Sequence, residues 1–251
     1  TVKDLANIIQ LFEDRGGEEQ SVMDIARSLQ MLPSKVSRLL KSLEAEEFFE
    51  KNTTTGKYHL GIRFLQPGLL YVFNHPLRRI ILPHLEHMAH EMNLPAGWAI
   101  FRNDRIIVID RFPTGKRSIV SRVGSNVPLH SSSYGKLFLA YLPSGEQKRL
   151  INSTEYVKFT PATIADAKRM KEEIRQTQKN GYAVDLGETA PDISSIAAPL
   201  INERNSLVAA LSLAMYKAKP DPALLKKTAE YLTDRAKFIS RQLGYRGHAG
   251  L

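Results

Sequence analysis

The sequence has no cysteine. Disulfides and thiolate metal sites are excluded by that alone. No apolar run approaches the roughly 18 residues a membrane span needs, and no charged-then-apolar leader opens the chain. The expected setting is the cytoplasm, with no membrane partner. The chain opens on Thr1, so a natural start upstream is expected. Repeats and low-complexity segments are missing. So is any acidic residue between Met31 and Leu43.

What is there is ordinary in bulk. Hydrophobic residues make up 43% and charged residues 24% of 251, a soluble globular composition long enough for one large domain or two modest ones. The net charge of +9 is misplaced for a simple nucleic-acid reading. Residues 1–60 hold eight basic and ten acidic residues, a local charge of −2, so any DNA contact rests on a local face and not on the total.

That face is predicted within residues 21–60. Ser21 is an N-cap candidate with Asp24 three residues on, and Ile25, Ala26 and Leu29 give an apolar side. After a break at Gln30-Met31-Leu32, Pro33 suits the start of a second helix. Val36, Leu39, Leu40 and Leu43 recur at helical spacing and predict a buried stripe. The other side carries Ser34, Lys35, Ser37, Arg38 and Lys41. Short hydroxyls and long cations suit phosphate and base-edge contacts. The pair reads as a helix-turn-helix. Residues 48–51 and 57–60 around Asn52-Thr53-Thr54-Thr55-Gly56 predict a hairpin, a wing holding Lys51 and Lys57 beside a DNA backbone. A basic outer face alone is more often a solvated helix; the ordered set of elements is what favours DNA.

Before this region, Asp4–Phe12 predicts a helix closed by Arg15-Gly16-Gly17. After it, residues 61–73 are apolar nearly all round, and Pro67-Gly68 is expected to break or kink a helix there. An exposed connector of this kind predicts a linker packed on a second subunit. The expected organisation is 1–61 for DNA, 62–75 as linker and 76–251 for the remainder. A helix is predicted from His75-Pro76 to Met92, with Pro83 setting its first turns apart. His84, His87 and His90 lie on it three apart, a spacing that could hold a metal, but scattered surface histidines are commoner, and neither metal nor cofactor is expected.

Residues 96–101 and 105–112 predict a hairpin around Asn103-Asp104, and 117–123 a third strand. Helices are expected to about Leu142, from Pro143-Ser144, over 166–179 and over 220–243. Strands are expected at 182–186, 194–201 and 207–215. The sum is α+β, an antiparallel sheet with helices on its faces.

The motifs together resemble the IclR-type transcriptional regulators over residues 1–245. The matching stretches include 32–40, 55–61, 121–125, 128–136, 181–185, 196–199 and 209–212. The resemblance implies an N-terminal winged helix-turn-helix, a C-terminal GAF-like effector domain with an antiparallel sheet, a homodimer or dimer of dimers, a palindromic double-stranded DNA operator, and a small-molecule effector. It also implies a pocket at the loop Ser131–Gly135, at Asp185, at Ser195 and at Ser212. This sequence has Ser131 and Ser195 where the family often has cysteine, Ala214 where it often has serine, Gly187 in place of a common acid and Asp192 in place of a common glycine. No particular ligand is carried over.

Read without the family, Ser131, Ser132, Ser133 and the N–H groups of Tyr134 and Gly135 precede a helix, whose free donors and dipole suit a carboxylate. Ser195 and Ser212 can donate O–H bonds and Asp185 can accept one. Capping alone explains any one of these residues. Trp98, Ile119 and Tyr134 are candidate walls. A hydrolase is the second reading, since His130, Ser131–Ser133 and Asp185 supply the residue types of a triad, but no Gly-x-Ser-x-Gly elbow is present. A ligand-free architectural DNA binder is the third.

Overall fold

Thr1 and Asp4 start the first helix, α1 (Val2–Asp14). The Thr1 hydroxyl donates to Asp4 Oδ2 at 2.7 Å, so the helix runs two residues past the predicted span at each end. The structure is a computed structural model that describes residues 1–114 and 122–247. Ser21 caps α2 (Val22–Leu29) by accepting from the Asp24 N–H at 3.1 Å. Gln30, in the left-handed region at φ 52°, ends it and turns the chain. Pro33 then takes the first position of α3 (Pro33–Ala45), where its missing N–H has no intrahelical partner to lose. Strands β1 (Phe49–Lys51) and β2 (Tyr58–Leu60) pair antiparallel.

The inward stripes of these elements meet in one core of Ile8, Phe12, Ile25, Val36, Leu40, Phe49 and Tyr58. The Phe12 and Phe49 rings meet edge to face at 4.8 Å, a favoured aromatic geometry. Gln20 adds a feature the sequence did not announce. It exchanges two backbone hydrogen bonds with Tyr58, at 2.9 and 2.8 Å, and so lies as a one-residue strand beside β2.

A single 3-10 turn at Ile62–Phe64 leads into α4 (Leu65–Phe73). The break expected at Pro67-Gly68 does not occur inside a helix. Pro67 is the third residue of α4, in the first turn, where N–H groups have no intrahelical partner. Contacts divide the chain into two compact units between His75 and Pro76.

In the second unit α5 (Arg78–Met92) runs unbroken with Pro83 inside it, so its first turns are not a separate piece. The six-stranded sheet has the order β5-β4-β3-β8-β7-β6. Its strands are β3 (Ala96–Arg102), β4 (Arg105–Phe112), β5 (Asn126–Val127), β6 (Ala183–Leu186), β7 (Ser194–Ile201) and β8 (Leu207–Met215), and all neighbours are antiparallel. Asn103 and Asp104 both take positive φ, 49° and 63°, which suits a two-residue hairpin turn. Most of the strand predicted at 117–123, with Ile119, lies outside the described residues. Arg122 and Val123 are not in a strand, and β4 is partnered by Asn126–Val127 instead.

Helix α6 (Ser133–Tyr141) lies on one face of the sheet, where Tyr134, Leu137 and Phe138 pack on Ala99, Val108, Ala197 and Ala210. The short α7 (Ser144–Ser153) and α8 (Ala167–Asn180) join α6 through Leu139, Leu150, Met170 and Ile174. The closing helix α9 (Pro222–Gln242) contacts β7 and α5. Among the described residues, no helix is long and apolar enough to cross a membrane.

The three histidines of α5 do not converge. His84 Nε2 is 3.1 Å from Gln242 Oε1, His87 Nε2 is 3.0 Å from Glu91 Oε2, and the His90 ring packs edge-on against Phe112. Each is held by a different neighbour, so the three-residue spacing does not make a metal clamp.

Candidate functional site

On α3, Ser34, Ser37, Arg38, Lys41 and Ser42 line one shallow surface concavity. Arg38 and Lys41 are exposed and have no ion-pair partner among the described residues. Lys35 is placed elsewhere. Its Nζ lies 2.9 Å from Asp4 Oδ2, which turns it toward α1 and away from that stripe. The N-terminal ammonium, the Thr1 hydroxyl and Lys35 together hold the Asp4 carboxyl well below the usual carboxylate range.

The hairpin tip is built around two side chains. Asn52 Oδ1 accepts from the N–H groups of Thr54 and Thr55, a local turn that asparagine favours. Glu19 reaches across from the preceding segment and accepts from Asn52 Nδ2 at 2.7 Å and the Thr55 hydroxyl at 3.0 Å. Lys51 and Lys57 are both exposed; the Lys51 ammonium also sits 5.7 Å from the Tyr58 ring centre, within cation–π range.

In the second unit a cavity of about 150 Å³ opens between the sheet and the start of α6. Of the predicted residues, Ser132, Ser133, Tyr134, Asp185, Ser195 and Ser212 line it. The sheet explains the grouping. Asp185 on β6 faces Ser195 on β7, which faces Ala214 on β8; Ser212 is two residues along β8 and so on the same face. The hydroxyls pair off: Ser133 Oγ with Ser195 Oγ at 2.7 Å, and Tyr134 OH with Ser212 Oγ at 2.5 Å.

Ser131 and Gly135 do not line the cavity, and neither does Trp98 of the candidate walls. Ser131 is fully buried, with its hydroxyl 3.1 Å from that of Thr189. Gly135 gives its N–H to the Ser132 hydroxyl, the N-cap of α6, at 3.0 Å. It is needed for close approach instead: a Cβ there would lie 2.1 Å from the Leu129 carbonyl oxygen. The anion seat expected at this helix start therefore loses one of its donors.

Asp185 does two things. Its Oδ1 accepts from the Glu188 N–H at 2.7 Å, which folds the loop after β6, and its side chain also borders the cavity. Burial pushes its carboxyl up to about 6, against the lowering by the Glu188 N–H and the Lys136 charge.

Sequence reasoning missed Arg111, Asn126, Thr189 and Ile193, which also line the cavity. Arg111 is the most consequential. Its Nε and Nη1 are buried and lack a hydrogen-bond partner among the described residues. The signal available in advance was an arginine at the end of an otherwise apolar strand, which usually means a solvated edge.

The residues of the hydrolase reading do not assemble. His130 Nε2 is 2.9 Å from the Val157 carbonyl, and its ring lies between Tyr156 and Phe159. The neighbouring serines are committed to Thr189, Pro128 and Ser195.

Residues 69–241 match the family described as bacterial transcriptional regulator IclR C-terminal. The chain belongs to the IclR family. It is 28% identical over 247 residues to the HTH-type transcriptional regulator XynR of Escherichia coli K12, across 98% of this chain and 97% of that protein. It is also 28% identical over 244 residues to the HTH-type transcriptional repressor AllR of the same strain, across 96% and 89%. An IclR homolog from Microbacterium hydrocarbonoxydans, solved in complex with 4-hydroxybenzoate, shares the fold with a TM-score of 0.77 at 22% identity, over 97% of this chain and 98% of that one. As an IclR-family member this chain is a transcriptional regulator with a ligand-binding C-terminal domain, and the enzyme reading gives way. IclR regulators bind DNA and small-molecule effectors.

Proposed function

We propose that residues 1–61 form a winged helix-turn-helix that reads a palindromic operator in double-stranded DNA. Residues 62–75 are the linker. Residues 76–251 form a GAF-like domain for effector binding and oligomerisation. The observation that carries the reading is the outer stripe of α3, where Ser34, Ser37, Arg38 and Lys41 share one open surface without a carboxylate. Arg38 is the base-reading candidate, since a guanidinium can pair bidentately with a guanine edge. Lys41, Lys51 and Lys57 serve phosphates. Lys35 stabilises α1 against α3 through Asp4. The protein works in the cytoplasm, where its operator is.

The effector is a small organic acid held in the second-unit cavity by Ser133, Tyr134, Asp185, Ser195 and Ser212. The 4-hydroxybenzoate complex of the structural neighbour supports that class. A palindrome requires two copies of α3, and α4 supplies an apolar face for the second subunit: Leu65, Leu70, Tyr71 and Phe73 are each more than half exposed, more than a solvated helix of nine residues ordinarily shows. A homodimer, or a dimer of dimers, covers it. Effector binding alters regulation to the extent that it favours one arrangement of the two DNA-reading units over another.

The test selects bound duplexes from a random library and compares wild type with Arg38→Ala. An inverted repeat should emerge. Arg38→Ala should weaken its binding by roughly 1–3 kcal/mol and relax one base position in each half-site. No enrichment, or an unchanged Arg38→Ala, would remove the recognition role from α3.

A further inference from the structure

Arg111 lies on β4 directly opposite Gly97 of β3, and Gly97 lies opposite Ser212 of β8. The three form one row across the sheet. A Cβ on Gly97 would sit 3.2 Å from Arg111 Cγ and 3.0 Å from the Tyr134 hydroxyl oxygen. The bare backbone of Gly97 is thus what lets the arginine side chain lie inward beside Tyr134. There the Nε and Nη1 donors are buried without a partner among the described residues, on the wall of the cavity.

The nearby acids are committed. Asp110, next in sequence, accepts from Arg78 Nε at 2.8 Å. Asp185 is on the far edge strand, four strand spacings from β4, or about 19 Å between backbones, and its Oδ1 is taken by the Glu188 N–H. Two buried guanidinium donors without a hydrogen-bond partner are costly. An anion in the cavity removes that cost.

The remaining donors are countable. Tyr134 and Ser212 share two hydroxyl protons and use one between them. The same holds for Ser133 and Ser195. Each pair keeps one proton for a ligand oxygen. Asp185, an acid at the opposite flank, disfavours a second ligand carboxylate. A cavity of about 150 Å³ is the size that holds a single benzene ring.

We infer that Arg111 seats the effector's carboxylate, through the path cleared by Gly97, and that the cavity selects a compact monocarboxylic acid with a hydroxyl or carbonyl oxygen in place of a dicarboxylate. This rests on the reading of the cavity as the effector site and moves the charge anchor from the start of α6 to β4.

The test is a thermal-shift and calorimetric titration of the full chain with formate, lactate and 4-hydroxybenzoate, with the neutral amides of the last two, and with succinate, each to tens of millimolar. Variants are Arg111→Gln and Arg111→Lys. At least one monocarboxylate should stabilise the wild type while its amide and succinate do not. Arg111→Gln should weaken that acid roughly 10- to 100-fold and bind acid and amide alike. Arg111→Lys keeps the charge but not the planar fork, and should retain the preference for acid at lower affinity. If acid and amide stabilise the wild type equally, or Arg111→Gln binds the acid as wild type does, the anchor is wrong and the effector site stands. If no acid stabilises the wild type, the anchor falls together with the effector reading.

Discussion

Lys136 Nζ lies 2.5 Å from Glu188 Oε1, and Lys136 is fully buried. The ammonium also donates to the Val184 carbonyl at 2.7 Å and approaches Glu173 at 3.4 Å. One side chain of α6 thereby ties down β6 and the loop that follows it. That loop carries Thr189, Ala190 and Ile193 into the cavity wall. The ion pair is therefore a support for the cavity wall and not a part of it.

Lys136→Met should destabilise the protein by about 3–5 kcal/mol, since it leaves the buried Glu188 without its partner. Lys136→Met combined with Glu188→Met should recover most of the loss. Denaturant unfolding of the three variants decides the matter. Equal losses in the single and double variants would mean that the lysine stem, and not its charge, does the packing.

Gly135→Ala should cost more than the roughly 1–3 kcal/mol of an ordinary overpacked side chain. The clash is with the Leu129 backbone, at 2.1 Å from its carbonyl oxygen, and backbone cannot rotate away. The expected outcome is loss of folded protein on expression, or a strongly lowered melting temperature. A Gly135→Ala protein with wild-type stability and weakened acid binding would return Gly135 to the ligand.

Where the sequence was legible, the signals were local. Ser21, Pro33 and Gly56 punctuate the first unit within a few residues of the elements they start or turn. The apolar runs at 194–201 and 207–215 needed only each other. What was illegible depended on distant partners. Lys35 looks like its neighbours Arg38 and Lys41 until Asp4, thirty-one residues earlier, is seen to take it. Gln20 joins the wing only through Tyr58. Arg111 looks like a strand-edge cation until the sheet order sets it across Gly97 from Ser212. Gly135 was read for its N–H, but its missing side chain is what the fold uses.

The apolar surface of α4 predicts an oligomer that charge should dissolve. Leu70 and Phe73 are exposed at 53% and 57% in the single chain. Burying each in an interface is worth about 1.5–3 kcal/mol. Leu70→Glu with Phe73→Glu should therefore raise the dissociation constant roughly 100-fold or more. Sedimentation equilibrium reads this directly. An unchanged oligomer would place the interface elsewhere on the chain.

Burial raises the Asp185 carboxyl from 3.8 to about 6. In the folded protein it keeps its proton to a higher pH than in the unfolded chain. Its contribution to stability is thus fully present below about pH 4 and is lost as pH rises through 6. For Asp185 the whole change is at most about 3 kcal/mol. Asp185→Asn removes its share while keeping an acceptor for the Glu188 N–H. The stability of wild type relative to Asp185→Asn should then fall between about pH 4 and 6 and level off by about 7. Trp98 is the single tryptophan and is fully buried in the second unit, so its fluorescence reports unfolding of the unit that holds Asp185. A difference that stayed flat or rose across that window would mean that Asp185 ionises as an ordinary carboxylate. Its charge would then face the cavity at every pH at which the protein works, and discrimination against dicarboxylates would be independent of pH.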